Sequence, residues 1–351
     1  MKTKKTIQAK IVHLTGIKQW LLEEEYGSLQ RFLHGEKATL YSANKQQAKR
    51  FYRKIKPDKK YPLSIRKDLL KIERRNTKIA EYWARIPVKG RRGGVWVAIK
   101  PHCPIEPEME ICESKLFKWN GHFYLNIVVA REVELRNECR NVLAVDLGIH
   151  NVAVTINSKT GKTCFYGKKL RSVRGRYFHL RRRLPNRKAV RKIGSHEQRI
   201  VTHELHKISK AIAQDALKNS SMIVLGNLKG IRRNGGDRRF NRKLNSFPYH
   251  KLSAYIEYKA QWLGIPVLKV NEAYTSQTCS ICGGKGIRHN GLFRCSCGAE
   301  LNADYNGAKN IMRRAFGLVS NAGATVNMPR TIPTDSLSPM TRMEAPCDSE
   351  G

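Results

Sequence analysis

Four cysteines of this 351-residue chain fall into two close pairs, Cys279 with Cys282 as C-x-x-C and Cys295 with Cys297 as C-x-C, separated by a twelve-residue loop. A glycine follows each pair, Gly283 and Gly298, and lets the turn bring both sulfurs round to one point. Four thiolates at this spacing suit a tetrahedral Zn²⁺. Such a shell leaves no open position for water, so the ion it holds is structural and fixes the loops on either side. The C-x-C pair is one residue shorter than the usual knuckle, and the knob carries Lys285, Arg288 and Arg294, which are placed to meet a polyanion. Seven residues beyond Cys297 stands Asp304, at the start of a helix-like stretch over 303–315. Far upstream, the apolar run from Asn141 ends in Asp146, just before Gly148. An Asp before a glycine is an ordinary turn cap. Acids at the ends of buried elements are also what a hard divalent cation requires, because it takes oxygen ligands.

The charge balance says what such an ion would act on. Lys plus Arg number 67 and Asp plus Glu 28, a net charge of +39. A surplus of this size repels itself unless a polyanion neutralises it, which points to nucleic acid. Solubility alone does not ask for it, since solvated surfaces usually mix the two signs. The N-terminal M-K-T-K-K-T-I-Q-A-K has no apolar core of a secretory signal, and no apolar run is long enough to span a bilayer. Neither an amphipathic basic helix nor a lipidation signal is present, so no membrane partner is expected. The other five cysteines, at 103, 112, 139, 164 and 347, are scattered, which favours metal ligation in a reducing compartment over a disulfide framework. The expected location is the cytoplasm, with the nucleoid.

Residues 1–140 read as a first unit. Lys5–Val12, Val95–Ile99, Met109–Glu113 and His122–Val129 have strand character, and Asn120-Gly121 is a hairpin turn. Ser42–Ala84 is rich in Lys and Arg, with Leu69, Leu70, Ile72, Ile79 and Trp83 as a possible apolar stripe. This predicts a β-barrel carrying a basic helical insert at about 42–88. Asn141–Asp146, Val152–Ile156 and Lys162–Tyr166 then predict three antiparallel strands. Over 168–199 there are thirteen Lys or Arg and one acid, with Tyr177 and Phe178 interleaved, a pattern suited to a phosphate backbone and base stacking. A helix over 204–217, a strand over 221–225, a basic loop over 231–243, a helix over 248–263 and a strand over 266–270 lead to the cysteine knob. The Pro-, Ser- and Thr-rich tail, 318–351, has no periodicity and reads as disordered. No internal repeat is present.

Three antiparallel strands, then helix, strand, helix, strand, helix, with an acid ending the first strand and another opening the last helix, resembles a ribonuclease-H-like nuclease domain of the RuvC form. The motifs V-D-L-G-I-H-N at 145–151, L-G-N-L-K-G-I at 225–231, Y-T-S-Q-T-C-S-I-C-G at 274–283 and C-G-A-E-L-N-A-D-Y-N-G-A-K-N at 297–310 resemble those of TnpB, the transposon-encoded RNA-guided nucleases related to type V CRISPR effectors. The resemblance is strong over 141–315. It implies an α/β fold: a wedge β-barrel with a helical recognition lobe over 1–140, and a RuvC-like domain over 141–317 with a zinc ribbon inserted at 275–300. It also implies a guide RNA encoded by the transposon, and Mg²⁺-dependent cleavage of a matching double-stranded DNA next to a short flanking motif. The target itself would be read by base pairing. Asp146 and Asp304 would be magnesium ligands.

One position departs from that pattern. The family's second acid, a Glu, stands where this chain has Gly226, and neighbouring Asn227 carries no charge. Three acids are candidates to replace it. Glu257 lies off the apolar stripe of its helix, and nothing places Glu204. Glu272 follows the strand over 266–270, which in such a sheet lies next to the strand ending at Gly226. Adjacent strands are about 4.8 Å apart, so the carboxylate of Glu272 could fill the space a side chain at 226 would take. The expected catalytic and magnesium-binding set is therefore Asp146, Glu272 and Asp304. A nuclease-dead, RNA-guided DNA-binding protein acting like a repressor is the alternative that Gly226 raises. A transposase acting alone is the third, and no tyrosine nucleophile motif supports it.

Overall fold

Period-two alternation governs the first third of the chain. In the computed structural model, which describes residues 1–136, 139, 141–228, 241, 242, 244, 247–289 and 291–321, β1 (Lys2–Val12) turns Ile7, Ala9 and Ile11 inward and leaves its lysines outside. The chain continues through α1 (Gly16–Leu33), α2 (Ser42–Phe51), β2 (Leu63–Ile65), β3 (Lys71–Arg74), β4 (Tyr82–Ile86), β5 (Val95–Pro101), β6 (Glu110–Ile111), β7 (Ser114–Trp119) and β8 (His122–Glu132). These strands form one antiparallel sheet in the order β2-β7-β8-β1-β5-β4-β3, with β6 also on β8. The β7–β8 hairpin turns at Asn120 (φ 47°) and Gly121 (φ 80°), the pair of positive φ values that a two-residue turn of matching twist needs.

The helical insert differs from the expectation. Of the stretch 42–88, Ser42–Phe51 is helical, while β2, β3 and β4 lie in the sheet. Pro57 and Pro62 end any helix between them. The expected stripe does not hold together either, since Leu70 is buried and Ile79 exposed. A second helix, α1, stands where the sequence reading placed none. Its Leu22, Glu25, Tyr26 and Leu29 are buried at helical spacing. Glu25 accepts from the backbone N–H of Tyr41 and of Lys89 and from the Asn44 amide, which ties α1 to α2 and to the loop after β4.

The chain separates into two compact units, Met1–Glu132 and the part from Val133 onward. The second unit contains β9 (Asn141–Asp146), β10 (Ala153–Asn157), β11 (Thr163–Tyr166), α3 (Lys168–Arg183), α4 (Arg187–Lys218), β12 (Ser221–Asn227), α5 (Tyr249–Trp262), β13 (Val267–Asn271), β14 (Gly286–His289), β15 (Leu292–Cys295), β16 (Glu300–Asn302) and α6 (Ala303–Asn321). Its sheet runs β11-β10-β9-β12-β13. β11, β10 and β9 pair antiparallel; β9, β12 and β13 pair parallel. Parallel strands need crossover helices, and α4 and α5 supply them. They cover one face of the sheet, packing Leu205, Ile208, Leu252 and Ile256 against Leu143, Val145, Ile223 and Leu225. α6 covers the other face, with Ala308, Ile311 and Ala315 against Val142, Ala144, Val224 and Val270. β14, β15 and β16 form a separate small sheet that carries the cysteines.

The expected tail begins too early, because α6 continues through 318–321. Residues 322–351 and most of the basic loop 231–243 lie outside the described residues. Among the described residues, no helix is long and apolar enough to cross a membrane.

Leu225 is fully buried between β12 and the helices, one residue before Gly226. The Leu225→Ala variant is expected to lose about 2–5 kcal/mol of stability, read by chemical denaturation of the full chain.

Candidate metal centre and carboxylate cleft

Side-chain parity decides what faces α6. Val142 and Ala144 of β9 point to that helix, so Asp146 does as well. Val224 of β12 does, so position 226 must follow. On β13, Val270 points the same way, and Glu272 comes two residues later. Register then brings the positions together: Gly226 pairs with Val270 and Asn227 with Asn271, while Leu225 on its other side pairs with Val145.

Gly226 is where the geometry is most specific. A Cβ built there would coincide with the carboxyl end of the Glu272 side chain, overlapping Oε1, Cδ and Cγ. The carboxylate of Glu272 thus occupies the space a side chain at 226 would take. Its Oε1 is buried and has no hydrogen-bond partner. Arg314 of α6 holds the loop that carries it, donating to the backbone carbonyls of Asn271 and, at 2.6 Å, of Ala273. The loop turns at once, with the N–H and hydroxyl of Thr275 both donating to the Glu272 carbonyl at 3.1 and 2.9 Å.

The other two acids close the cleft from β9 and α6. Asn302 caps α6, its Oδ1 accepting from the N–H of Asp304 and Tyr305 at 3.0 and 3.1 Å. Asp304 is therefore in the first turn, where the helix dipole favours an anion. One of its oxygens accepts from Asn151 at 2.9 Å and the other from Arg288 at 2.7 Å. Gly307, one turn on, leaves room for Asp146, whose Oδ2 would sit 2.7 Å from a Cβ there.

Electrostatics set two of the cleft acids apart. Burial, then the charge of Asp304, pushes Asp146 up to about 7. Burial, then the charge of Asp146, pushes Glu272 up to about 8, although Arg314 works against it. Crowded carboxylates with an orphaned oxygen fit a hard divalent ion. The three do not draw as tightly together as the cysteines do. Among the described residues, the four cysteines are the only His, Cys, Asp or Glu group whose ligand atoms all lie within 4.8 Å of one another.

The cysteines meet the geometry of zinc. Cys279 and Cys297 sulfurs are 3.9 Å apart and those of Cys282 and Cys295 3.5 Å. Bonds of about 2.3 Å in a tetrahedron separate sulfurs by about 3.8 Å. The N–H groups of Ile281 and Gly284 point at the sulfurs of Cys279 and Cys282, both at 3.4 Å. The knob is bolted to α6 along one face of that helix. Asn306 bonds the N–H of Ser280 and the carbonyl of Thr278, Asn310 the carbonyls of Thr275 and Thr278, and Arg313 the carbonyl of Ile281.

Of the alternatives for the missing acid, Glu257 pairs with Lys269 at 2.7 Å and Glu204 with His203, neither having a contact with the cleft. Two of the ribbon cations expected to face a polyanion are engaged within the protein, Arg288 with Asp304 and Arg294 with Glu300. Sequence reading did not identify Arg288, Arg314 or Asn151 as site residues. Asn151 lies inside a motif already singled out. The sequence singles out Arg288 only as a ribbon cation for a polyanion, and nothing local marks Arg314, which reaches backbone 41 and 43 residues away.

Comparison with known proteins gives these features company. Residues 249–311 match the Cas12f1-like TNB domain family. A TnpB-like protein of Methanocaldococcus jannaschii is 28% identical over 223 residues, 56% of this chain and 80% of that protein. The CRISPR-associated endodeoxyribonuclease Cas12f2 of a Micrarchaeota archaeon is 32% identical over 219 residues, 55% of this chain and 40% of that protein, so the match spans less than half of that relative's length. Among solved structures, a Cas12f1–sgRNA–target DNA complex aligns with 89% of this chain and 99% of its own at 18% identity and a TM-score of 0.43.

Both cleft acids have folded-state pKa values above those of the unfolded chain, so the stability they permit is complete below about pH 4 and is lost as the pH rises through about 7 and about 8. The metal-free protein is expected to melt at progressively lower temperature from pH 5 to pH 8.5. Added Mg²⁺ should raise the melting temperature, and more at the upper end. In Gly226→Ala, the new Cβ must displace Glu272; Mg²⁺ affinity from the same melting series should fall by about 10–100-fold.

Proposed function

The chain belongs to the TnpB-like family, and from that premise we propose that it is an RNA-guided DNA endonuclease with a ribonuclease-H-like, RuvC-type nuclease domain over 141–317. The strand order β11-β10-β9-β12-β13, with α6 across one face, supports that fold. The first unit, which ends at Glu132 rather than at about residue 140, is then the wedge domain with its recognition helices. The observation that carries the reading is the Glu272 carboxylate in the space opened by Gly226, on the same face as Asp146 and Asp304.

Asp146, Glu272 and Asp304 would hold two Mg²⁺ ions. Bound there, the ions would supply a water of lowered pKa and stabilise the leaving oxygen of the cut phosphodiester. Asp146, which interacts electrostatically with both other acids, would be the shared ligand. With Asp146 raised to about 7 and Glu272 to about 8, both would be partly protonated near neutral pH, and binding of a divalent cation would favour their ionised forms. Asn151 holds Asp304 at a fixed rotation. Arg288 neutralises Asp304 until a cation competes for it. Arg314 fixes the loop that presents Glu272. The four cysteines hold zinc, which keeps the segment between Glu272 and Asp304 in one shape. The nucleic-acid partners are a transposon-encoded guide RNA and the double-stranded DNA it matches. The basic α3–α4 hairpin suits them: on α3 the ring of Phe178 has the guanidinium groups of Arg182 and, from outside the hairpin, Arg242 at 5.9 and 4.0 Å from its centroid.

A protein that had given up cleavage would have no use for three buried carboxylates in mutual repulsion. This weighs against the nuclease-dead alternative. The test is to purify the chain with its RNA, sequence that RNA, and assay cleavage of a matching plasmid with Mg²⁺. Glu272→Gln is expected to reduce cleavage to background while keeping the RNA. Cleavage by Glu272→Gln at the wild-type rate would refute the relocated acid, and a wild-type complex that binds its target without cutting would favour the repressor-like reading.

A further inference from the structure

Beyond the C-terminal end of α2 the chain wraps round a cavity of about 460 Å³. Its lining is three aromatic residues and five cations, with no carboxylate. The aromatic part is a built floor. Tyr61 is almost wholly buried, and its hydroxyl accepts from the N–H of Lys56 at 2.9 Å and donates to the carbonyl of Lys54 at 3.4 Å. Its own N–H and C=O are both bonded to the side-chain amide of Gln30, each at 2.8 Å. Tyr52 donates its hydroxyl to the Pro62 carbonyl at 2.7 Å and packs its ring on Tyr61, centroids 4.9 Å apart. Both hydroxyls are thus engaged with backbone, which fixes the two rings as a rigid base under the exposed ring of Phe51.

Phe51 forms the open wall. It is 41% exposed, an uncommon position for a phenylalanine, and the Arg50 guanidinium and Lys115 ammonium lie 5.3 and 5.7 Å from its ring centroid. Lys59 stands 5.1 Å over the ring of Tyr61. Among the described residues, none of the five lining cations has a carboxylate within ion-pair distance. Like charges gathered round one concavity raise its energy until an anion enters. Rings beside them call for a flat, apolar or π-rich group on the same ligand. The cavity volume falls in the range of small-ligand sites, roughly 300–1,000 Å³. A base inside a duplex already has both faces covered and cannot reach such a recess, whereas an unpaired one can stack.

We propose that this cavity holds one unpaired nucleotide of a single strand, its base against Phe51 and its phosphate among Arg53, Lys54 and Lys59. The proposal rests on the reading of the chain as a nucleic-acid-binding protein and adds to it a site that grips one base out of the helix. Ribose and deoxyribose strands share this chemistry.

The experiment uses the full-length protein without Mg²⁺, so that no cleavage enters the readout. Short single-stranded RNA and DNA oligonucleotides, each with a central 2-aminopurine, are titrated against wild type, Phe51→Ala, Phe51→Tyr and Lys54→Gln/Lys59→Gln, with a duplex of the same length as control. Wild type should quench the fluorescent base by stacking. Phe51→Ala should weaken single-strand binding by about 5- to 150-fold, leave the duplex unchanged and keep the salt dependence. Phe51→Tyr should restore both affinity and quenching. The double lysine variant should bind more weakly with a shallower dependence of affinity on salt, by about 0.7 in logarithmic slope for each phosphate no longer neutralised. A loss confined to the RNA assigns the nucleotide to the guide, a loss confined to DNA assigns it to the target, and a loss in both supports the shared site. Unchanged single-strand affinity and quenching in Phe51→Ala, with an unchanged melting temperature, overturns the proposal. That result would leave guided cleavage, measured separately, intact.

Discussion

Three carboxylates crowded into one cleft repel one another, and much of the second unit is arranged to bear that repulsion. Asp146 ends a strand whose face is set by parity, so it cannot turn away without exposing Val142 and Ala144 as well. Asp304 lies in the first turn of α6, where the helix dipole, Asn151 and Arg288 all oppose its charge. Glu272 keeps one oxygen buried and unpartnered. Protonation relieves the site at low pH, and a divalent cation would relieve it near neutrality. The same strain that disfavours the metal-free protein would therefore supply affinity for a metal.

The replacement at Gly226 follows from sheet geometry. In a parallel pair, a residue just beyond the end of one strand can lean its side chain toward the end of the neighbouring strand. Glu272, two residues past Val270, does this, and the absence of a Cβ at 226 makes it possible. A carboxylate on a loop is less firmly held than one on a strand, and here α6 makes up the difference. Asn306, Asn310, Arg313 and Arg314 lie along one side of the helix and bond the backbone from 271 to 281. The last of those bonds, to Ser280 and Ile281, fall between the first two cysteines of the ribbon. The four-cysteine ribbon, the loop of Glu272 and the helix of Asp304 thus form one mechanical unit.

Sequence and structure agree where the information is local. The cysteine pairs, Asp146 at a strand end and Asp304 at a helix start are legible because spacing and periodicity determine them. Glu272 is legible at one remove, through the expectation that its strand neighbours that of Gly226. Arg288 and Arg314 are not, because each acts on groups 16 to 43 residues away and nothing local distinguishes them among 67 Lys and Arg. In the first unit, the basic composition of 42–84 obscured short strands between prolines. There the tertiary setting, with β3 and β4 pairing onto an existing sheet, overrides a weak helical preference. Helix α1 escaped notice because two exposed apolar residues, Ile17 and Trp20, blur its stripe.

The central claim is that the cleft needs one carboxylate at this place and is indifferent to which strand supplies it. Returning the acid to its neighbour tests this directly. Guided plasmid cleavage with Mg²⁺ is measured for Glu272→Gly and for the double variant Gly226→Glu/Glu272→Gly. The single variant is predicted to be inactive and the double variant to regain cleavage. A double variant as inactive as the single one, though folded and loaded with RNA, would contradict the claim.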